Sequence, residues 1–267
     1  MGSTINYPDP PMGNTVLYTG VSETSLTDAL PLFGSPHVNG DSIGFNPTGF
    51  GAFAAGGSND LTDGQIVFSV TAKPGHAIAN INFSEAGTTS LTGLGTDVTH
   101  TDVSATGQLL IKAVDGVGIS TIAIPIHLLF SPPTSAPGDP VAPNDPNFAP
   151  GNYPAGTSGT FRLVSDGQLS SEAWSGGEAL NISQILTNHG IPFVLGATWV
   201  SVDLDNGLTA QSEAGTIALI EKKDFGGLAV TVNMPGQGGG PNSPEPTSLV
   251  LAGLGFGGLL LGRRFKR

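Results

Sequence analysis

Apolar residues alternate with small or polar ones along much of this chain, and the period is that of a strand. Ala77-Ile78-Ala79-Asn80-Ile81-Asn82-Phe83 sets Ile81 and Phe83 on one face, as a half-buried strand requires. Gln65 to Ala72 reads as a strand before it. Lys73-Pro74-Gly75-His76 lies between them as a turn, so the two read as a hairpin. Gln108 to Val114 and Ile119 to Phe130 continue the pattern, and Pro125 demotes the second run to an edge or bulged strand.

Later candidates are Gly159 to Val164, Ala179 to Ile185, Phe193 to Leu204, Gly207 to Ser212, Gly215 to Lys222 and Gly226 to Val232. Asp205-Asn206-Gly207 has the chemistry of a tight hairpin turn, because Asn-Gly tolerates positive φ. Leu180 to Thr187 is the alternative site for a short helix, with Gly176 and Gly177 weighing against a longer one. The pattern predicts an all-β fold: a jelly-roll-like β-sandwich ectodomain over residues 1–235. Eight prolines between Ser131 and Gly156 exclude a central strand or helix there, leaving a long loop within that unit or a linker.

Composition supports strands over helices. Of 267 residues, 40 are Gly and 21 Pro, with 38% hydrophobic and 11% charged. Gly and Pro disfavour helices, while the apolar content provides a core. There is no cysteine, which excludes disulfides and thiol chemistry. Nine residues are Lys or Arg, four of them among the last five. The chain before Pro244 therefore carries five basic residues against twenty acidic ones, a balance of −15. Such a surface repels phosphate backbones, so no nucleic-acid partner is expected.

Catalytic patterns are missing from the ectodomain. His37, His76, His100, His127 and His189 stand apart without metal-ligand spacing. Ser175 in "AWSGGE" lacks the preceding Gly of a nucleophile elbow. Asp203-Leu204-Asp205-Asn206-Gly207 begins like a calcium loop but has Gly207 at the fifth position and Ala214 at the twelfth. Calcium is therefore admissible for so acidic a surface but has no motif, and no other cofactor is expected. A non-enzymatic protein is expected. The alternative is a carbohydrate-binding module that is calcium-dependent or not. Trp174, in a Gly- and Ser-rich stretch, is then the exposed candidate glycan contact, whereas Trp199 reads as core.

The C-terminus carries the most specific signal. Residues 236–243 form a Gly-rich tether, and residues 244–267 read "PEPTSLVLAGLGFGGLLLGRRFKR". Gly253, Gly255 and Gly258 fit a dinucleotide fingerprint, but no acidic residue follows and no second strand can be built in nine residues. The run from Leu249 to Gly262 is uncharged, and Gly253 and Gly257 form G-x-x-x-G, a spacing that lets apolar helices approach. From Thr247 to Gly262 a helix would measure ~24 Å, short of the roughly 30 Å hydrocarbon core but workable with snorkelling basic flanks. A single transmembrane helix is the expectation, with Leu249, Gly253, Gly257 and Leu261 in the span. Arg263, Arg264, Lys266 and Arg267 would stop it on the cytoplasmic side.

Pro244-Glu245-Pro246, an apolar segment and a terminal basic cluster, in that order, resemble the PEP-CTERM sorting signal of bacterial exported proteins. The resemblance covers about the last 24 residues. It implies export, transient anchoring in the inner membrane, and cleavage near Pro244-Glu245-Pro246 by an exosortase-like processing enzyme. Release or attachment at the cell surface would follow, often beside exopolysaccharide, which becomes an implied partner. Proteins of that family begin with a signal peptide. The opening "MGSTINYPDPPMGN" has no basic start or apolar run and does not read as one.

Overall fold

The computed structural model describes residues 2–131 and 158–233. Its strands are β1 (Ser3–Asn6), β2 (Val16–Ser25), β3 (His37–Asn39), β4 (Ser42–Phe45), β5 (Gly51–Ala55), β6 (Asn59–Ala72) and β7 (Ala77–Gly93), followed by β8 (His100–Val114), β9 (Val117–His127) and β10 (Leu129–Ser131). Beyond the Pro-rich stretch come β11 (Ser158–Arg162), β12 (Leu169–Asn181), the helix α1 (Ile182–Asn188), β13 (Ala197–Gln211) and β14 (Thr216–Asn233). The all-β expectation holds, and the described residues lie within one compact unit.

The strands fall into two antiparallel runs. One is β1-β2-β6-β13-β8, with β8 continuing to β9 along one half and to β11 along the other. The second is β12-β7-β14, extended by β5, β4 and β3 beyond β14 and by β10 beyond β12. A bridge between Ala197 and Ile78 joins them. Ile66, Phe68 and Val70 of β6 and Val202, Leu204 and Leu208 of β13 share one buried cluster with Ile81 and Phe83 of β7 and Ile220 of β14. Closing two sheets over such a layer gives the sandwich, and each of these side chains contributes about 1.5–3 kcal/mol by leaving water.

Several local expectations change. The strands flanking Lys73–His76 are β6 and β7, but they do not form a hairpin. β6 pairs with β2 and β13, and β7 with β12 and β14, so the Pro74-Gly75 turn carries the chain from one run to the other. Asn206-Gly207 is no turn either. It lies inside β13, where Asn206 pairs with Gly64 of β6 and Ala105 of β8. Local turn chemistry is overridden there because both neighbours offer a complete ladder. The candidates Gly215 to Lys222 and Gly226 to Val232 are likewise one strand, β14. Pro125 behaves as expected, since β9 pairs with β8 alone.

The stretch from Ala179 to Thr187 divides between β12 and α1, whose N-cap Asn181 accepts a hydrogen bond from Gln184 N at 2.9 Å. Pairing of β11 to β14 with β7, β8 and β6 across the Pro-rich stretch excludes two independently folded halves. That stretch (132–157), the tether and the C-terminal segment lie outside the described residues. Among the described residues no helix is long and apolar enough to cross a membrane.

Candidate functional site

Three polar residues occupy positions where strand alternation calls for apolar ones. On β7 the inward series Ile81, Phe83 continues to Glu85 and Gly87; on β13 Leu204 and Leu208 flank Asn206; on β14 Ala218 and Ile220 lead to Lys222. Glu85 and Lys222 are 2% exposed and Asn206 1%. The Lys222 ammonium nitrogen donates to Glu85 Oε2 and to Asn206 Oδ1. The three side chains come from three strands, with Asn206 contributed by one run and Glu85 and Lys222 by the other.

Aromatic rings seal the cluster. Phe50 lies with its ring centroid 4.9 Å from Lys222 Nζ and Phe33 at 5.6 Å, the two rings meeting edge to face at 5.0 Å. Gly64 makes room for them, since a Cβ there would come within 2.7 Å of Phe50 and 3.1 Å of Phe33. Phe33 is itself positioned by Glu23, another fully buried carboxylate. One Glu23 oxygen accepts from the amides of Leu32 and Phe33, and the other accepts from the Tyr7 hydroxyl at 2.5 Å. Opposite Lys222 in the β7–β14 ladder stands Gly87, with Trp174 packed against its Cα.

Burial is the largest influence on both members of the Glu85–Lys222 pair, raising the Glu85 carboxyl and lowering the Lys222 amine. Each opposite charge pulls the other way, but removal from water dominates and favours the neutral pair. Among the described residues Glu85 Oε1 and Asn206 Nδ2 have no hydrogen-bond partner, a state that costs about 1–3 kcal/mol per buried group. An amine, a carboxamide and a carboxyl meet here out of water, and they are the reactants and the acid–base group of an acyl transfer.

Other titratable groups stand apart. Glu178 on β12 accepts from His127 N at 2.6 Å, and burial pushes its carboxyl up to about 7. Asp203 and Asp205 flank a shallow surface depression with Gln108 and Pro125, and Asp203 accepts from Gln65 Nε2 at 2.8 Å. Burial, then the charges of Asp63 and Asp203, raise the Asp205 carboxyl. His100 contacts Asp102 at 3.2 Å, a hydrogen bond that raises its imidazole. Among the described residues no three His, Cys, Asp or Glu side chains are placed to hold a metal ion.

The tryptophan assignments are reversed. Trp174 is not on an exposed loop: it lies on β12, 2% exposed, with Phe130 edge to face at 6.0 Å. The neighbouring glycines permit this, since Gly87 and Gly176 leave backbone-sized gaps that the indole and the Phe130 ring fill. Trp199, expected in the core, is 41% exposed and carries Lys112 Nζ 5.0 Å from its ring. Alternation along β13 turns it away from the face that carries Val200, Val202 and Leu204. Pro244, Glu245, Pro246, Leu249, Gly253, Gly257, Leu261, Arg263, Arg264, Lys266 and Arg267 lie outside the described residues.

The buried triad was missed in the sequence, although its signal was present. Continuing each alternation by one step, from Phe83 to Glu85, from Ile220 to Lys222 and from Leu204 to Asn206, puts all three inward.

No family model matches the chain, and no curated protein matches it. Among solved structures, a loop-swap mutant of Necallimastix patriciarum Xyn11A aligns over 87% of this chain and 100% of its own, at 9% identity and a TM-score of 0.21. The infectious bursal disease virus Gx strain structure aligns over 92% and 59%, at 10% identity and a TM-score of 0.10. At such scores neither likeness bears on fold or activity.

Proposed function

We infer that the chain is a non-enzymatic, exported cell-surface or extracellular-matrix protein whose β-sandwich is delivered by its C-terminal segment. The observation that carries this reading is the order Pro244-Glu245-Pro246, uncharged apolar run, Arg263-Arg264-Phe265-Lys266-Arg267. The apolar run anchors a precursor in the inner membrane, the basic residues stay on the cytoplasmic side, and an exosortase-like enzyme cleaves near the Pro-Glu-Pro. The sandwich suits such a role, for its buried amine Lys222 and the partner carboxyl Glu85 are sealed in the core rather than opened to a substrate. Its acidic balance repels nucleic acid and suits a hydrated matrix. A carbohydrate-binding alternative turns on Trp199, the tryptophan that reaches solvent, and not on Trp174.

The test is expression in a host that has the sorting enzyme, with Pro244-Glu245-Pro246 intact or replaced by alanines. The intact protein is expected to lose its tail and leave the inner membrane, and the altered one to remain there at full mass. Identical mass and location for the two would refute the sorting role.

A further inference from the structure

We propose that Lys222 and Asn206 become joined by an amide bond between Lys222 Nζ and Asn206 Cγ, formed inside the folded sandwich with Glu85 as the proton carrier. This inference stands on the core geometry and does not depend on the sorting role.

A simple buried ion pair does not account for the site. Lys222 and Glu85 alone would satisfy one another, yet a third polar residue is brought into the core from a different strand run. Among the described residues its carboxamide leaves Nδ2 without a partner, as Glu85 leaves Oε1. Hydrophobic side chains in all three places would normally serve stability better. What the trio does provide is a nucleophile, an electrophile and an acid–base group in contact, enclosed by Phe33, Phe50 and the inward apolar residues of three strands. Folding holds the amine against the carboxamide, which supplies effective concentrations on the order of 10^5–10^8 M for a well-oriented pair.

Burial raises the Glu85 carboxyl and lowers the Lys222 amine, which favours a proton on Glu85 and a lone pair on Lys222 Nζ. That lone pair attacks Asn206 Cγ, while Glu85 donates its proton toward the carboxamide and later takes one from Nζ. The Nζ–Cγ bond forms, the Cγ–Nδ2 bond breaks, and Nδ2 departs as ammonia. Glu85 ends protonated as it began. No oxidant, reductant or further reactant takes part. The product ties β13 to β14 across the core, joining the two strand runs through a covalent bridge that bypasses the turn at residues 212–215.

The full chain is tested by intact mass under unfolding conditions and by digestion with a protease that cuts after glutamate. Glu213 lies between Asn206 and Lys222, so cutting there separates the two residues unless they are bonded. The expected result is a mass lower by one ammonia, with the fragment carrying Asn206 still attached to the fragment carrying Lys222. Lys222→Met and Glu85→Gln are expected to retain the ammonia and release separate fragments. Full mass in the wild-type chain would overturn the proposal. So would loss of ammonia with separable fragments, which is the signature of ring closure at Asn206-Gly207. The wild-type digest decides the bond even if a variant fails to fold, and a Glu85→Gln chain linked as fully as wild type would overturn the role of Glu85.

Discussion

Replacing Trp174 by alanine separates a core tryptophan from a ligand-binding one. The indole is 2% exposed, rests on Gly87 and meets Phe130 edge to face. Its surroundings cannot collapse into the space left behind, because the wall at Gly87 is ladder backbone: a Cβ placed there would lie 2.0 Å from the Glu221 carbonyl oxygen. Truncating a buried aromatic costs about 3–5 kcal/mol, and the edge contact with Phe130 adds about 0.5–1.5 kcal/mol. A loss of about 4 kcal/mol is a large share of the 5–15 kcal/mol typical of a folded domain. With a urea slope of about 2–3 kcal/mol per molar, the midpoint falls by about 1.5–2 M. Urea denaturation followed by circular dichroism reads this directly. Trp199→Ala is the control, expected to cost no more than about 1 kcal/mol through its exposed contact with Lys112. Equal midpoints for wild type and Trp174→Ala, or a larger fall for Trp199→Ala, would refute the packing described for the β7–β12 edge.

Further outcomes can be measured on the same protein. Gly87→Ala places a methyl 2.0 Å from the Glu221 oxygen and 2.3 Å from the indole. It is expected to cost about 3 kcal/mol or more, whereas Gly118→Ala, with its nearest neighbour at 4.0 Å, stays within about 0.5 kcal/mol on the same urea assay. Glu178 has its folded carboxyl pushed up to about 7, against about 4.3 in an unfolded chain. Its contribution is complete below about pH 4 and is lost as the pH rises through about 7. The unfolding free energy of wild type from urea titration should therefore fall relative to Glu178→Gln across that window, by on the order of 1–3 kcal/mol, and parallel pH profiles would contradict it. Asp115 accepts from the amides of Val194, Leu195 and Gly196 at 2.7, 2.8 and 3.0 Å. Asp115→Ala is expected to cost about 1 kcal/mol and to speed amide hydrogen exchange at those three residues, with unchanged exchange as the contrary result.

Strand periodicity carried the all-β architecture because it depends only on which face of each strand meets the core. The alternation is plainest where Asn82 separates Ile81 from Phe83 and Asp203 separates Val202 from Leu204. Pairing was harder to read. Lys73–His76 has all the chemistry of a hairpin turn, yet its flanking strands go to different neighbours, because partners far along the chain offered longer ladders. The Asn206-Gly207 turn signal is overridden for the same reason, and it masks the inward phase of Asn206. Trp174 was hidden by its glycines, which suggest a loop by composition but serve here as space for a large ring. The three members of the triad are separated by 121 residues between Glu85 and Asn206 and 16 between Asn206 and Lys222, so only the fold brings them together.

The most direct test of the central claim, that the core holds a reactive amine–carboxamide–carboxyl set, is a crystal structure fine enough to separate bonded from hydrogen-bonded atoms. Continuous density from Lys222 Nζ to Asn206 Cγ, planar as an amide and with no Nδ2, is the expected result. Two distinct side chains with a complete carboxamide on Asn206 would contradict it.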